Sequence, residues 1–119
     1  MKVQCSEQRL RLRITEEELV RLQRGEAVSM RTLTPVGAWQ SGIELGEAMQ
    51  PEWCGSLAEW LIRLPSAAVA AYATQLPSRE PLRFELDIDS GAVLQIDFEV
   101  DVRDSVRRRG VKGKTESRR

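Results

Sequence analysis

Arg9-Leu10-Arg11-Leu12-Arg13-Ile14-Thr15-Glu16-Glu17-Glu18-Leu19 is the stretch that decides how this chain begins to fold. Leu10, Leu12 and Ile14 alternate strictly with Arg9, Arg11 and Arg13. A period of two predicts a strand with one buried and one solvated face. The pattern then changes to a helix start. Thr15 is placed to cap it, Glu18 stands where a capping box needs its carboxylate, and Ile14 and Leu19 form a hydrophobic staple. Glu16, Glu17 and Glu18 suit the positive end of the helix dipole, and Arg21 and Arg24 suit the negative end. Gly25 is a natural stop, because glycine takes a left-handed cap without steric cost.

Downstream, residues 27–34 predict a strand ended by Pro35-Val36-Gly37, and residues 39–45 a second one interrupted by Gly42. Residues 46–55 read as a connecting loop. Residues 58–64 predict a strand with Trp60, Ile62 and Leu64 on one face. An Ala-rich helix follows from Pro65-Ser66 to about Gln75, closed by Leu76-Pro77, with Val69, Ala70, Ala73 and Leu76 as its expected buried stripe. The last pair is the clearest hairpin. Leu82, Phe84, Leu86 and Ile88 alternate with charge, as do Leu94, Ile96, Phe98, Val100 and Val102, around Asp89-Ser90-Gly91. A three-residue loop with a left-handed glycine keeps apolar opposite apolar, setting Phe84 against Ile96 and Leu86 against Leu94.

Leu12-Arg13-Ile14-Thr15 and Ile62-Arg63-Leu64-Pro65 stand 50 residues apart, each before a helical apolar pattern. The expected fold is therefore α+β: a mainly antiparallel sheet of about six strands with two helices, arranged as two βαββ repeats. Residues 1–102 form the expected single domain. Residues 103–119 form an expected disordered basic tail.

The chain has 119 residues, 18 Lys+Arg, 18 Asp+Glu and no His. Without an imidazole, Ser-His-Asp catalysis and His-ligated zinc are excluded. Two Cys cannot build a four-Cys metal site or a disulfide scaffold. Neutrality conceals segregation. The last 17 residues hold eight basic and two acidic groups, a net +6, which leaves −6 on the rest. No signal-like or membrane-spanning apolar run is visible, so a cytoplasmic protein with reduced thiols, away from any membrane, is the expectation.

Three places could carry chemistry. Asp87, Asp97, Glu99 and Asp101 share the polar face of the last hairpin, where clustered carboxylates could hold a hard cation. The bland alternative is a wet sheet face, on which Arg83 opposes Asp97 and a neighbouring Arg9, Arg11 and Arg13 ladder neutralises the acids. Arg107, Arg108, Arg109, Lys112 and Lys114 could contact phosphates, giving salt-dependent and sequence-blind nucleic-acid binding. Trp53, within Pro51-Glu52-Trp53-Cys54-Gly55, is the best candidate for an exposed aromatic, while the three Trp as a group read as core or loop anchors.

Arg9 to Leu19, Leu64-Pro65 and the final alternating pair resemble a set of small uncharacterised bacterial proteins. These open with an Ile-Arg-Leu-Arg-Leu-Thr-type strand followed by a Glu-Val or Glu-Leu helix. The resemblance covers about residues 8–102. It implies a bacterial, cytosolic protein and brings no activity or catalytic residues. Strand charges of both signs also resemble the lumen of triphosphate tunnel enzymes, whose first strand reads Glu-x-Glu-x-Lys. Here Arg9-Leu10-Arg11-Leu12-Arg13 carries no carboxylate. The expectation is a non-enzymatic interaction module without a cofactor, monomeric or homodimeric. Its partner would be a protein or small molecule at the sheet face or the Trp53 loop. The rivals are metal or phosphate chemistry on the acidic hairpin and nucleic-acid contact through the tail.

Overall fold

A computed structural model describes residues 1–102; the basic tail expected from residue 103 onward lies outside the described residues. In chain order the elements are β1 (Lys2–Ser6), β2 (Arg9–Thr15), α1 (Glu16–Gln23), β3 (Val28–Thr34), β4 (Gly37–Gly46), β5 (Glu52–Gly55), β6 (Glu59–Pro65), α2 (Ser66–Ala73), β7 (Leu82–Asp87) and β8 (Val93–Asp101). The α+β class holds, with two helices. The expected six-strand, mainly antiparallel sheet is instead eight strands in two four-stranded mixed sheets, ordered β1-β2-β8-β7 and β3-β4-β6-β5. Two short segments account for the extra strands. Residues 2–6 pair antiparallel with β2, and residues 52–55, expected as loop, pair antiparallel with β6.

The helices explain why there are two sheets. α1 carries the chain from β2 in the first sheet to β3 in the second, and α2 carries it back from β6 to β7. Each half then reads ββαββ rather than βαββ, and the β1-β2-α1 run recurs as β5-β6-α2 at a spacing of 50 residues. The centre of each sheet is a parallel pair made by one strand from each half: β2 with β8, and β4 with β6. The two pairings match position for position. Leu12 opposes Phe98 in one, and Ile62 opposes Ile43 in the other.

Local chemistry at α1 follows the sequence. The Thr15 side chain accepts from the Glu18 N–H, and the Glu18 carboxylate accepts from the Thr15 N–H. Gly25, at φ 91°, closes a Schellman end in which Gly25 N–H donates to Leu22 and Glu26 N–H donates to Arg21. Burial alone would raise the Glu18 carboxyl. The α-amino group of Met1 at 2.9 Å and the Thr15 N–H outweigh burial and hold it below the usual glutamate value. α2 has Pro65 at its cap position and no side-chain cap bond. Its buried residues are Val69 and Tyr72. Ala70, expected in the stripe, is exposed because Tyr72 takes that place against Phe98.

One apolar core draws on both sheets and both helices: Leu10, Leu12, Ile14, Leu19, Leu22, Val28, Ile43, Trp60, Ile62, Leu64, Val69, Tyr72, Ile96, Phe98 and Val100. Full burial of each large side chain contributes about 2 kcal/mol, before conformational entropy is subtracted. The final hairpin has the expected register, Phe84 with Ile96 and Leu86 with Leu94. Gly91, at φ 93°, closes its loop. Among the described residues, no helix is long and apolar enough to cross a membrane.

Candidate functional site

The acidic face of the β7–β8 hairpin meets a basic strand. β2 lies parallel to β8, with Arg11 opposite Asp97 and Arg13 opposite Glu99. Asp97 is only 2% exposed. Its carboxylate lies 3.4 Å from Arg83 and 3.7 Å from Arg9, and it accepts a hydrogen bond from Gln95 at 3.1 Å. Glu99 is held by Arg11 at 2.7 Å and by Arg13 at 3.5 Å. The hydrogen bond to Glu99 and the charge of Glu99 raise the Arg11 guanidinium further above its usual value. This is a lattice of opposite charges specifying which strand lies beside which.

The expected metal residues do not converge. Asp87 is exposed and opposes Val93, four residues along β8 from Asp97, or about 13 Å at strand rise. Asp97 and Glu99 share a strand face but are turned to arginines, and Asp101 lies at the strand end opposite Thr15. Among the described residues, no group of three or more His, Cys, Asp or Glu side chains forms a possible metal site. The arginines a phosphate would need, Arg11 and Arg13, are engaged by Glu99. Arg107, Arg108, Arg109, Lys112 and Lys114 lie outside the described residues.

Trp53 is not the exposed aromatic the loop reading expected. It sits on β5, half-buried, with its ring 5.1 Å from that of Trp60. Residues 52–55 form a strand, and pairing Trp53 opposite Ile62 sets its indole against the core. The exposed indole is Trp39.

Trp39 belongs to a second region, which has few charges. The β3–β4 hairpin extends past the core as an arm whose residues 31–39 are all exposed. At its end, Thr34, Val36, Gly37, Ala38 and Trp39 line a shallow concavity with Leu57 and Ala58 from the β5–β6 turn. Val36 is 96% exposed, Leu57 81% and Leu33 73%. The two segments are tied by the Gln40 N–H donating to the Ala58 carbonyl at 2.8 Å. The turn itself is ordered by Thr34, whose hydroxyl donates to the Gly37 carbonyl and accepts from the Val36 N–H. A hydrogen-bonded turn thus presents valine where turns usually present polar residues.

Sequence reading missed this region because each residue is unremarkable alone. The available signal was a large apolar residue inside each of two turns, Val36 after Pro35 and Leu57 after Ser56. No family model, no curated protein and no solved structure matches the chain. The functional reading therefore rests on this geometry.

Proposed function

We propose that this protein is a non-enzymatic interaction module that takes up another protein at the apolar end of its second sheet. The observation that carries this reading is the grouping of Val36, Leu57 and Trp39 in solvent on a hydrogen-bonded hairpin and turn. Lone exposed apolar residues are ordinary, but an exposed apolar group formed from two chain segments marks a contact surface. Trp39 is suited to anchor a contact, since buried indoles dominate interface energetics. The charge-matched lattice of the first sheet supports the same reading from the other side, because Arg9, Arg11, Arg13 and Arg83 are occupied with Asp97 and Glu99. The cytosolic setting and the bacterial resemblance belong to the same proposal.

Panning random 12-residue displayed peptides on the full chain tests it. Recovered peptides are expected to lose about tenfold or more in affinity for Val36→Asp and for Leu57→Asp, while Glu85→Lys on the opposite sheet leaves binding unchanged. Peptides indifferent to both turn substitutions would show that the contact surface lies elsewhere.

A further inference from the structure

Four strands stand at sheet edges, and they differ in how they are protected. β5 has four residues. β7 carries Arg83, Glu85 and Asp87 along its length. β1 has five residues, begins with Lys2 and exposes no large apolar side chain. β3 has seven residues, Val28-Ser29-Met30-Arg31-Thr32-Leu33-Thr34, with a single charge. Short edges and charged edges resist pairing with another chain, and long neutral ones invite it. Beyond Met30, every residue of β3 is exposed, and its exposed end runs directly into the Val36–Trp39 concavity.

We infer that the partner binds as an extended segment adding a fifth strand beside β3, its apolar side chains continuing over Leu33 and Val36 and a carboxylate facing Arg31. The inference rests on the interaction-module reading and names the form its partner takes. An edge strand turns alternate N–H and C=O groups outward, and an added strand satisfies them while its side chains read the surface beside it. Pleat alternation puts Ser29, Arg31 and Leu33 on one face of β3. Arg31 makes no ion pair or hydrogen bond through its side chain among the described residues, so an acidic group opposite it gains a charge-assisted bond without breaking one. The expected pattern in the partner is an Asp or Glu and an apolar residue two positions apart, with no proline in the paired stretch.

A second copy of this chain fits less well. Antiparallel self-pairing centred on Arg31 sets two arginines opposite each other. Centred on Thr32, the copy's Val28 ends beside Val36. The added strand then stops where the apolar end begins, leaving Leu57 uncovered. A foreign segment has neither restriction.

The experiment takes a 12-residue peptide recovered by panning and prepares two versions, N-methylated at its odd or at its even positions. N-methylation removes hydrogen-bond donors while keeping the side chains. Strand addition predicts that one version loses binding by about tenfold or more and the other binds nearly as the parent, because only alternate N–H groups face β3. Arg31→Glu should weaken binding several-fold and shift panning toward basic peptides. On binding, slowed amide exchange should appear at alternate residues of β3. If both methylated versions bind as the parent while Val36→Asp still abolishes binding, strand addition is overturned and the interaction module stands. If no recovered peptide responds to Val36→Asp or Leu57→Asp, the module reading itself fails. Concentration-dependent dimerisation abolished by Leu33→Lys would identify the occupant as a second copy and overturn the inference.

Discussion

The two sheets are built alike, and their central positions differ in one decisive pair. Matching the parallel registers sets Asp97 of the first sheet against Gly42 of the second, and Arg11 against Leu61. At the next pair on the same face the arrangement persists: Arg13 pairs with Glu99 at 3.5 Å in one sheet, and Arg63 with Glu44 at 2.7 Å in the other. At the preceding pair the charge reverses, Arg9 in the first sheet standing where the second has Glu59. The hydrogen bonds to Glu44 and Glu52 raise the Arg63 guanidinium above its usual value. The first sheet specifies its centre with charge. The second does so with close packing, because a Cβ at Gly42 would stand 3.0 Å from the Leu61 side chain and 3.4 Å from the Ser29 Cβ. One backbone plan thus supports two solutions for joining distant strands, and only the second sheet is left with an exposed apolar end.

That comparison can be broken by exchange. The largest effect is expected from Gly42→Asp, which buries a carboxylate without the arginines its counterpart has and should cost about 3 kcal/mol in urea unfolding. Adding Ser29→Arg, which stands opposite Gly42 as Arg83 stands opposite Asp97, should recover at least about 1 kcal/mol through coupling between the two positions. Zero coupling would mean the matched registers are a coincidence of geometry. Next comes Asp97→Asn, expected to cost about 2 kcal/mol, since Arg9 and Arg83 lose a buried counter-charge but remain partly solvated. A stability unchanged in urea would show the lattice to be decoration.

The helices sharpen the comparison on a smaller scale. Thr15→Ala should cost about 1 kcal/mol by removing the α1 cap, and Ser66→Ala less than about 0.5 kcal/mol, because α2 has no side-chain cap to lose. Equal losses from thermal melts would contradict the assigned caps. The smallest effect is expected from Glu18. Its folded-state pKa is depressed, so its contribution is present above the unfolded value and fades as pH falls through the folded one. Melting temperatures of the wild type and Glu18→Gln should therefore converge on acidification from about pH 6 to about pH 3. A gap that widens instead has the wrong sign for this pairing.

Local rules made some elements readable in advance. The strand at Arg9–Thr15, the box at Thr15 and Glu18, the stop at Gly25 and the register across Gly91 all depend on residues within a few positions of each other. What escaped depends on neighbours far along the chain. β5 is four residues long, too short for a period to declare itself, and its reason to be a strand is the free edge of β6. The division into two sheets depends on where α1 delivers the chain, which no window of sequence encodes. Trp53 illustrates the consequence for site reading: its loop-like surroundings suggested exposure, and strand pairing turned it onto Trp60. The apolar end was missed for a related reason, since Val36 and Leu57 become a surface only when two hairpins meet.

The exchange of strands between halves also bears on how the chain reaches its fold. Arg9 must find Gln95, and Gln40 must find Glu59, before either sheet has a centre. The first of these closures spans almost the whole described chain, and closures of that span are entropically late events. Neither ββαββ half contains a complete sheet of its own, since each sheet is half built from the other. The fold is in this sense an internal heterodimer. Two fragments divided in the exposed stretch at residues 47–50 would each lack a core alone and should assemble into one when mixed.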